Sequence, residues 1–275
     1  MSHQKLGLAL GSGGWRGLAH IGVIKSLVKN NISIDFIAGS SIGSIIGGMY
    51  AAIQNIHEIE QIASSLSFQS VVKSIFKKPS SQVSATNSQF DHFFRNILGD
   101  IKIEDLNIPF CAVASDLITG NSVNITSGSL VTAMEASSAV PIFFSPVKTS
   151  NQYLCDGGMI TPVPTNTVRQ MGADIIVGVN LYGGIFPIDL NQQSKLSNIK
   201  AIKIYRFLWL NQLAKTNLLS ADIPLDLHIP DEDYGFFIKF LNNQKVIDYG
   251  QNSTDAIITQ INQKLNSKQK SLVQK

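Results

Sequence analysis

Short, mostly apolar runs alternate with helix-spaced apolar positions along the first part of the chain. Leu6-Gly7-Leu8-Ala9-Leu10 and Ile34-Asp35-Phe36-Ile37-Ala38 have the length and density of buried strands. Each precedes a helical pattern, first Ile21, Ile24, Leu27 and Val28 within Leu18–Val28, then Ile42, Ile45, Ile46, Met49 and Ile53. Pro109–Asp116 and Asp174–Asn180 repeat the strand signal. Asn121–Ile125 reads as a hairpin partner across a Thr119-Gly120 turn, Leu130–Ser138 as a helix, and Tyr153-Leu154-Cys155 as a short strand. This alternation predicts one large α/β core whose strand-to-helix loops open on one edge of a parallel sheet.

Elsewhere the pattern is looser. Ile59, Ile62, Ala63 and Leu66 predict a helix, and Phe90, Phe93, Phe94, Ile97 and Leu98 share a helix face. Between them lie the lysine-containing Val71–Pro79 stretch and a polar Ser80–Ser88 loop. The whole span 57–98 reads either as a lid over the core or as a solvated connection. Ser197–Leu219 looks helical, with Tyr205, Phe207, Leu208, Trp209 and Leu210 beside Lys195, Lys200, Lys203, Arg206 and Lys215. Its apolar residues appear all round, so it either docks on an anionic membrane or buries a side against the sheet or a second subunit. Leu225–Ile229 reads as a late strand, and the Lys/Gln/Ser-rich tail from Gln263 as fraying.

Two glycine-rich turns carry candidate chemistry. Gly39-Ser40-Ser41-Ile42-Gly43 is a strand-to-helix turn of the G-x-S-x-G type, with Ser41 at its apex. A serine pushed out of a sheet this sharply needs neighbours without a Cβ at Gly39 and Gly43, and it faces the positive end of the following helix. By itself the pattern fits a nucleophile or an ordinary turn. Gly11-Ser12-Gly13-Gly14-Trp15-Arg16-Gly17 lies between the first strand and helix, a ready anion site. Its spacing is G-x-G-G-x-x-G, and Asp35 opens the second strand instead of closing it, so a dinucleotide site fits poorly. The N–H groups of Gly13 and Gly14 suit an oxyanion hole better, where one donor is worth about 3 kcal/mol. Arg16 opposes the helix dipole and is either anchored internally or aimed at a substrate phosphate. Trp15 either lines an acyl groove or packs in the core. Asp156-Gly157-Gly158 puts a carboxylate at a strand end, a pattern most often just a turn.

Composition narrows the classes. Of 275 residues, 15% are charged and 44% hydrophobic, which suits a well-buried enzyme and not a disordered or nucleic-acid-binding chain. A net charge of +3 assigns no partner. Cys111 and Cys155 are too few for a disulfide scaffold. The run Phe36–His57 is uncharged and long enough to span a membrane, but its serine turn and repeated glycines fit a buried strand-turn-helix. With no signal-peptide pattern at Met1–Lys5, the expectation is a cytoplasmic protein, with peripheral contact at the inner membrane face left open. No repeat or composition break divides residues 1–275, so one domain is expected.

Four blocks in order, Gly11–Gly17, Gly39–Gly43, Ala136–Pro146 and Asp156-Gly157-Gly158, make the chain similar to the patatin-like phospholipase family. It most resembles the compact bacterial members related to the catalytic domain of neuropathy target esterase. The similarity covers about residues 5–181 and extends to the strand around 225–230, leaving 195–275 as a helical C-terminal region with one late strand. Ser12 departs from the pattern, since many members have a glycine there. The resemblance implies a three-layer α/β/α fold with a mainly parallel central sheet. It also implies a Ser–Asp dyad of Ser41 and Asp156, an oxyanion hole at Gly13 and Gly14, and a supporting motif of Gly11, Arg16, Gly17, Gly39, Gly43, Gly157 and Gly158. It further implies a lipid acyl ester substrate, no metal or organic cofactor and no nucleic acid, and it leaves the oligomeric state open.

Two other functions remain compatible with these residues. One is a non-catalytic lipid-binding or regulatory protein on the same fold. The other is a Ser–His–Asp esterase of soluble esters. Of the five histidines, His3 lies in the tail, His57 and His92 in the variable region, and His20 in the glycine-loop block. Only His228 sits where a hydrolase triad order favours one.

Overall fold

The buried runs become strands because each finds hydrogen-bond partners on both edges and apolar cover on both faces. In a computed structural model, residues 4–65, 88–140, 145–186, 198–229 and 243–273 are described. The elements run β1 (Leu6–Leu10), a 3-10 turn (Gly14–Leu18), α1 (Ala19–Lys29), β2 (Phe36–Ser40), α2 (Ile42–Ile53), α3 (Ile56–Ser64) and α4 (Ser88–Leu98). There follow β3 (Phe110–Asp116), β4 (Ser122–Ile125), α5 (Leu130–Ser138), β5 (Val147–Lys148), β6 (Tyr153–Asp156) and α6 (Thr165–Gln170). The chain then adds β7 (Ile175–Asn180), α7 (Asn198–Leu218), β8 (Ile223–Asp226), α8 (Asn243–Asp255) and α9 (Ile258–Val273).

The strands hydrogen-bond in the order β5-β6-β3-β2-β1-β7-β8, with β4 also on β3. Pairs β1–β2, β1–β7, β2–β3 and β7–β8 are parallel, whereas β4, β5 and β6 pair antiparallel. Side-chain alternation divides the core between the two faces. Leu8, Leu10, Ile37, Phe110, Ala112, Val177 and Val179 pack with α1, α2, α4, α5, α8 and α9. Ala9, Ala38, Cys111, Val113 and Ile176 pack with Val168 of α6 and Phe207, Leu210, Ala214 and Leu218 of α7. Helices on both faces bury the parallel strands fully, which is the three-layer α/β/α arrangement.

The register of β3 brings the two ends that matter together. Residues Ala112–Ser115 pair with β4, Val113 pairs with Ser40 at the end of β2, and Ala114 pairs with Asp156 at the end of β6. A strand has only two edges, so with β4 on one, β2 and β6 share the other. They run toward each other and stop at adjacent positions of β3.

Local expectations shift at three places. β2 begins at Phe36 because the Asp35 carboxylate turns back to accept a 2.7 Å hydrogen bond from the Leu6 N–H. β8 starts at Ile223 and ends at Asp226, so His228 lies beyond the strand, and Pro224 fits because β8 is the sheet edge. The tail from Gln263 does not fray at its start. It belongs to α9, held where Ile261 and Leu265 are buried in the main core.

The 57–98 stretch contributes α3 and α4, whose Ile56, Ile59, Ala63, Phe90 and Phe94 are buried in that same core. Val71–Pro79 and most of the Ser80–Ser88 loop lie outside the described residues, as do residues 141–144 of the Ala136–Pro146 block and Lys195.

The C-terminal region is joined to the motif core by close helix contact. A Cβ on Gly22 of α1 would stand 1.9 Å from the Ile247 carbonyl oxygen, and one on Gly250 of α8 would stand 2.1 Å from that of Ala19. The two backbones therefore approach through paired glycines. Gly250→Val is expected to destabilise the protein by about 1–3 kcal/mol through overpacking, read as a lower midpoint in urea with an unchanged m-value.

Candidate active site

Ser41 sits between β2 and α2 with φ 56° and ψ −125°, a left-handed backbone for a non-glycine residue. Such a conformation costs about 1–3 kcal/mol and persists only when its surroundings impose it. Two glycines make it possible. A Cβ at Gly39 would lie 2.3 Å from the Gly43 carbonyl oxygen, and one at Gly43 would lie 2.1 Å from that of Leu10. The Ser41 N–H donates to the Ser137 hydroxyl (3.0 Å) and carbonyl (3.1 Å), while Ser137 Oγ donates to the Val113 carbonyl at 2.6 Å. The Ser44 N–H donates to the Ser41 carbonyl at 2.8 Å, closing the first turn of α2.

At the facing end of β6, Asp156 Oδ2 accepts a hydrogen bond from Ser41 Oγ. Its other oxygen accepts from the Gly158 N–H at 2.7 Å. Gly157 and Gly158 keep this turn tight, since a Cβ at Gly157 would stand 1.9 Å from the Val113 carbonyl oxygen. Burial pushes the Asp156 carboxyl up to about 6. The hydrogen bonds from Ser41 and Gly158 and the positive charge of Arg206 oppose the rise. A carboxylate so placed can take a proton near neutral pH.

The Gly11–Gly17 loop flanks this pair. The Gly11 N–H donates to the Val179 carbonyl (3.0 Å) and that of Ser12 to the Pro162 carbonyl (2.8 Å). No acceptor among the described residues takes the N–H of Gly13 or Gly14. A Cβ on Gly17 would strike Ile42, so the loop packs on the start of α2. Ser12 faces the Asp156–Gly158 turn, where a Cβ on Gly158 would stand 2.4 Å from its Oγ, and it shares a 2.9 Å hydrogen bond with the Tyr182 hydroxyl. Arg16 is only 1% exposed, with its guanidinium over the rings of Trp15 (5.0 Å) and Phe207 (5.5 Å). It is therefore an internal anchor, and Trp15 is a core residue. His20 is buried, and desolvation lowers its pKa to about 4, so it stays neutral at pH 7 and its Nε2–H donates to the Gly11 carbonyl at 2.7 Å.

The profile of the family described as Patatin-like phospholipase matches residues 8–169 of this sequence. The chain belongs to the patatin-like phospholipase family. Its relatives include an uncharacterized NTE family protein of Mycobacterium tuberculosis, 37% identical over 182 residues, a match covering 66% of this chain and 50% of that protein. The lysophospholipase NTE1 of Candida albicans is 33% identical over 186 residues, 66% of this chain but 13% of that protein. Patatin-like phospholipase domain-containing protein 6 of Mus musculus is 32% identical over 187 residues, 66% of this chain and 14% of its own length. This chain thus corresponds to half or less of these curated relatives. Among solved structures, VipD from Legionella pneumophila shares the fold, with a TM-score of 0.53 at 14% identity over 97% of this chain and 67% of that one.

In this patatin-like fold Ser41, Asp156 and the glycine loop converge, whereas His228 does not. It follows β8, three strands from β2, about 14 Å at the usual strand spacing. It is 64% exposed and lies 3.9 Å from Asp226. Sequence reasoning passed over Ser137, which fixes the Ser41 backbone, Tyr182, which holds Ser12, and the charge Arg206 brings to bear on Asp156. Only Tyr182 carried a local signal, standing two residues past the carboxyl end of a parallel strand, where ligand sites gather.

Because the folded Asp156 binds its proton more tightly than an unfolded aspartate, its ionisation opposes folding. That cost is absent below about pH 4 and develops as pH rises through about 6. Asp156→Asn is expected to be more stable than wild type at pH 8, by on the order of 2–3 kcal/mol. The gain should vanish at pH 4, as read by denaturant melts at both pH values.

Proposed function

We propose that this chain is a serine acyl hydrolase that cleaves fatty acyl ester bonds of lipids through Ser41 and Asp156. The observation that carries the reading is the hydrogen bond from Ser41 Oγ to a buried carboxylate whose pKa is raised to about 6, at a serine held in a strained elbow. Family membership and the name lysophospholipase borne by the Candida albicans relative support a lipid ester as substrate.

In the proposed cycle Ser41 Oγ attacks the ester carbonyl carbon as its proton passes to Asp156 Oδ2. The N–H groups of Gly13 and Gly14 hold the resulting oxyanion. Collapse breaks the bond to the leaving oxygen, which takes the proton from Asp156 and departs as an alcohol. Water then attacks the acyl-enzyme while Asp156 accepts its proton, and that proton returns to Ser41 as the fatty acid leaves. No step calls on an imidazole, consistent with an exposed His228 at the far edge of the sheet. The reading keeps the cytoplasmic expectation, which suits Cys111 and Cys155 as buried free thiols.

Release of free fatty acid from mixed phospholipid vesicles tests the dyad. Ser41→Ala and Asp156→Asn are each expected to lower the rate by about 10⁴-fold or more with folding intact, and His228→Ala by less than about twofold. Undiminished hydrolysis by Ser41→Ala sinks the proposal, and a large loss in His228→Ala points to a triad.

The acid limb of the rate profile offers a second check. With Asp156 as base, kcat/KM should rise through an apparent pKa of about 6. Arg206 favours the ionised carboxylate, so Arg206→Met should move that limb to higher pH. A limb that stays in place removes Arg206 as a determinant of the titrating group, and a limb that never appears near pH 6 removes Asp156 as the base.

A further inference from the structure

Helix α7 has two apolar faces, and among the described residues only one of them is packed against the fold. Phe207, Leu210, Asn211, Ala214 and Leu218 are buried against the sheet. The opposite stripe reads Ile202, Tyr205, Trp209, Gln212 and Thr216, spaced i, i+3, i+7, i+10 and i+14. A surface helix places polar residues there. Here Ile202 is 69% exposed, Tyr205 67% and Trp209 53%. Tyr205 and Trp209, together with Leu208, Gln212, Leu213 and Thr216, border a shallow groove of about 320 Å³.

Charge identifies the occupant. Residues 198–218 contain Lys200, Lys203, Arg206 and Lys215 and no carboxylate. At about 100° per residue, Lys215 falls on one flank of the Tyr205–Trp209 stripe, and Arg206 on the other is partly buried with its charge acting on Asp156. An apolar stripe that includes Trp and Tyr, with Lys215 beside it on a helix that carries cations and no carboxylate, matches the layering of a bilayer surface, with acyl boundary below and anionic head groups beside. No helix among the described residues is long and apolar enough to cross a membrane, so this helix would lie in the interface plane.

The inner face of the same helix reaches the site. Phe207 stacks on Arg16 of the glycine loop, and Asn211 Nδ2 donates to the Tyr182 carbonyl at 2.7 Å.

We infer that the Ile202–Trp209 stripe of α7 is a docking surface for anionic phospholipid bilayers, presenting the Ser41 site to lipid at the interface. The inference deepens the acyl-hydrolase reading and rests on it for its purpose, but docking is measured without turnover.

Ser41→Ala protein is mixed with vesicles of phosphatidylcholine alone, or of phosphatidylcholine with phosphatidylglycerol, and floated on a density gradient. Trp209 reports contact, because the only other tryptophan, Trp15, is 3% exposed. The expected result is flotation with the anionic vesicles, weakened by high salt, and a shift of Trp209 emission to shorter wavelength. Tyr205→Ser/Trp209→Ser should lower partitioning by about tenfold or more, because it removes two large apolar anchors. Lys215→Glu should weaken it at low salt only. In the Ser41 background the double variant should lose hydrolysis of vesicle lipid and keep hydrolysis of a soluble short-chain ester.

Failure to float with anionic vesicles, unshifted Trp209 emission, or equal partitioning of the double variant overturns the docking surface. So does a wild-type dimer that the double variant converts to monomer without change in vesicle binding. Each of these leaves the dyad chemistry standing, because the soluble ester reads it. Conversely, tight vesicle binding by a protein inactive on every ester removes the catalytic reading alone.

Discussion

Everything at the candidate site depends on one shared edge of β3. β2 runs up that edge and stops at Ser40, opposite Val113, while β6 runs down it and stops at Asp156, opposite Ala114. Backbone hydrogen bonds thereby determine the separation of Ser41 and Asp156 before any side chain is considered. The residues between the two ends then lock the arrangement. Ser137 ties the Ser41 N–H to the Val113 carbonyl, and Ser115 Oγ donates to the Asp156 carbonyl at 3.0 Å. Slipping either strand by one residue would turn Ser41 or Asp156 to the other face of the sheet.

That geometry is held against a local cost. The Ser41 backbone occupies a strained region, and the Asp156 carboxyl is carried into a place where water no longer stabilises its charge. Two hydrogen bonds and the field of Arg206 recover only part of that stabilisation, which leaves a carboxyl whose pKa is raised to about 6. The surrounding sheet supplies the rest of the stability from ordinary burial on two faces. Strain and desolvation concentrated at one point, inside an otherwise regular core, are the pattern of a site selected for reactivity.

Helix α7 connects this centre to the outside. Its buried side covers the small-residue face of the sheet, where Ala9, Ala38 and Gly178 leave room for it, and reaches the glycine loop through Phe207. Its other side meets solvent with aromatic and aliphatic residues. The same element thus completes the core, contributes to the electrostatics of Asp156 and presents an apolar stripe. This explains why its sequence is apolar all round without being a membrane span.

Much of this was legible in the chain because it is governed by contacts within a few residues. Strand runs, the 3.6-residue rhythm of α1, α2 and α5, the Gly39 and Gly43 requirement at the elbow and the glycine-rich anion loop all follow from local sterics. Asp156 was picked out only through its place in an ordered set of family blocks, since a D-G-G turn looks like any other. What the tertiary structure alone decided are pairings between distant residues. Ser41 meets Asp156 across 115 positions and Ser12 meets Tyr182 across 170. The anchoring of Arg16 between two rings, the tail held as α9, the exclusion of His228 and the two-faced use of α7 belong to the same class. Such pairings depend on strand order and register, which the free energy of the whole packed core selects and no short stretch of sequence encodes.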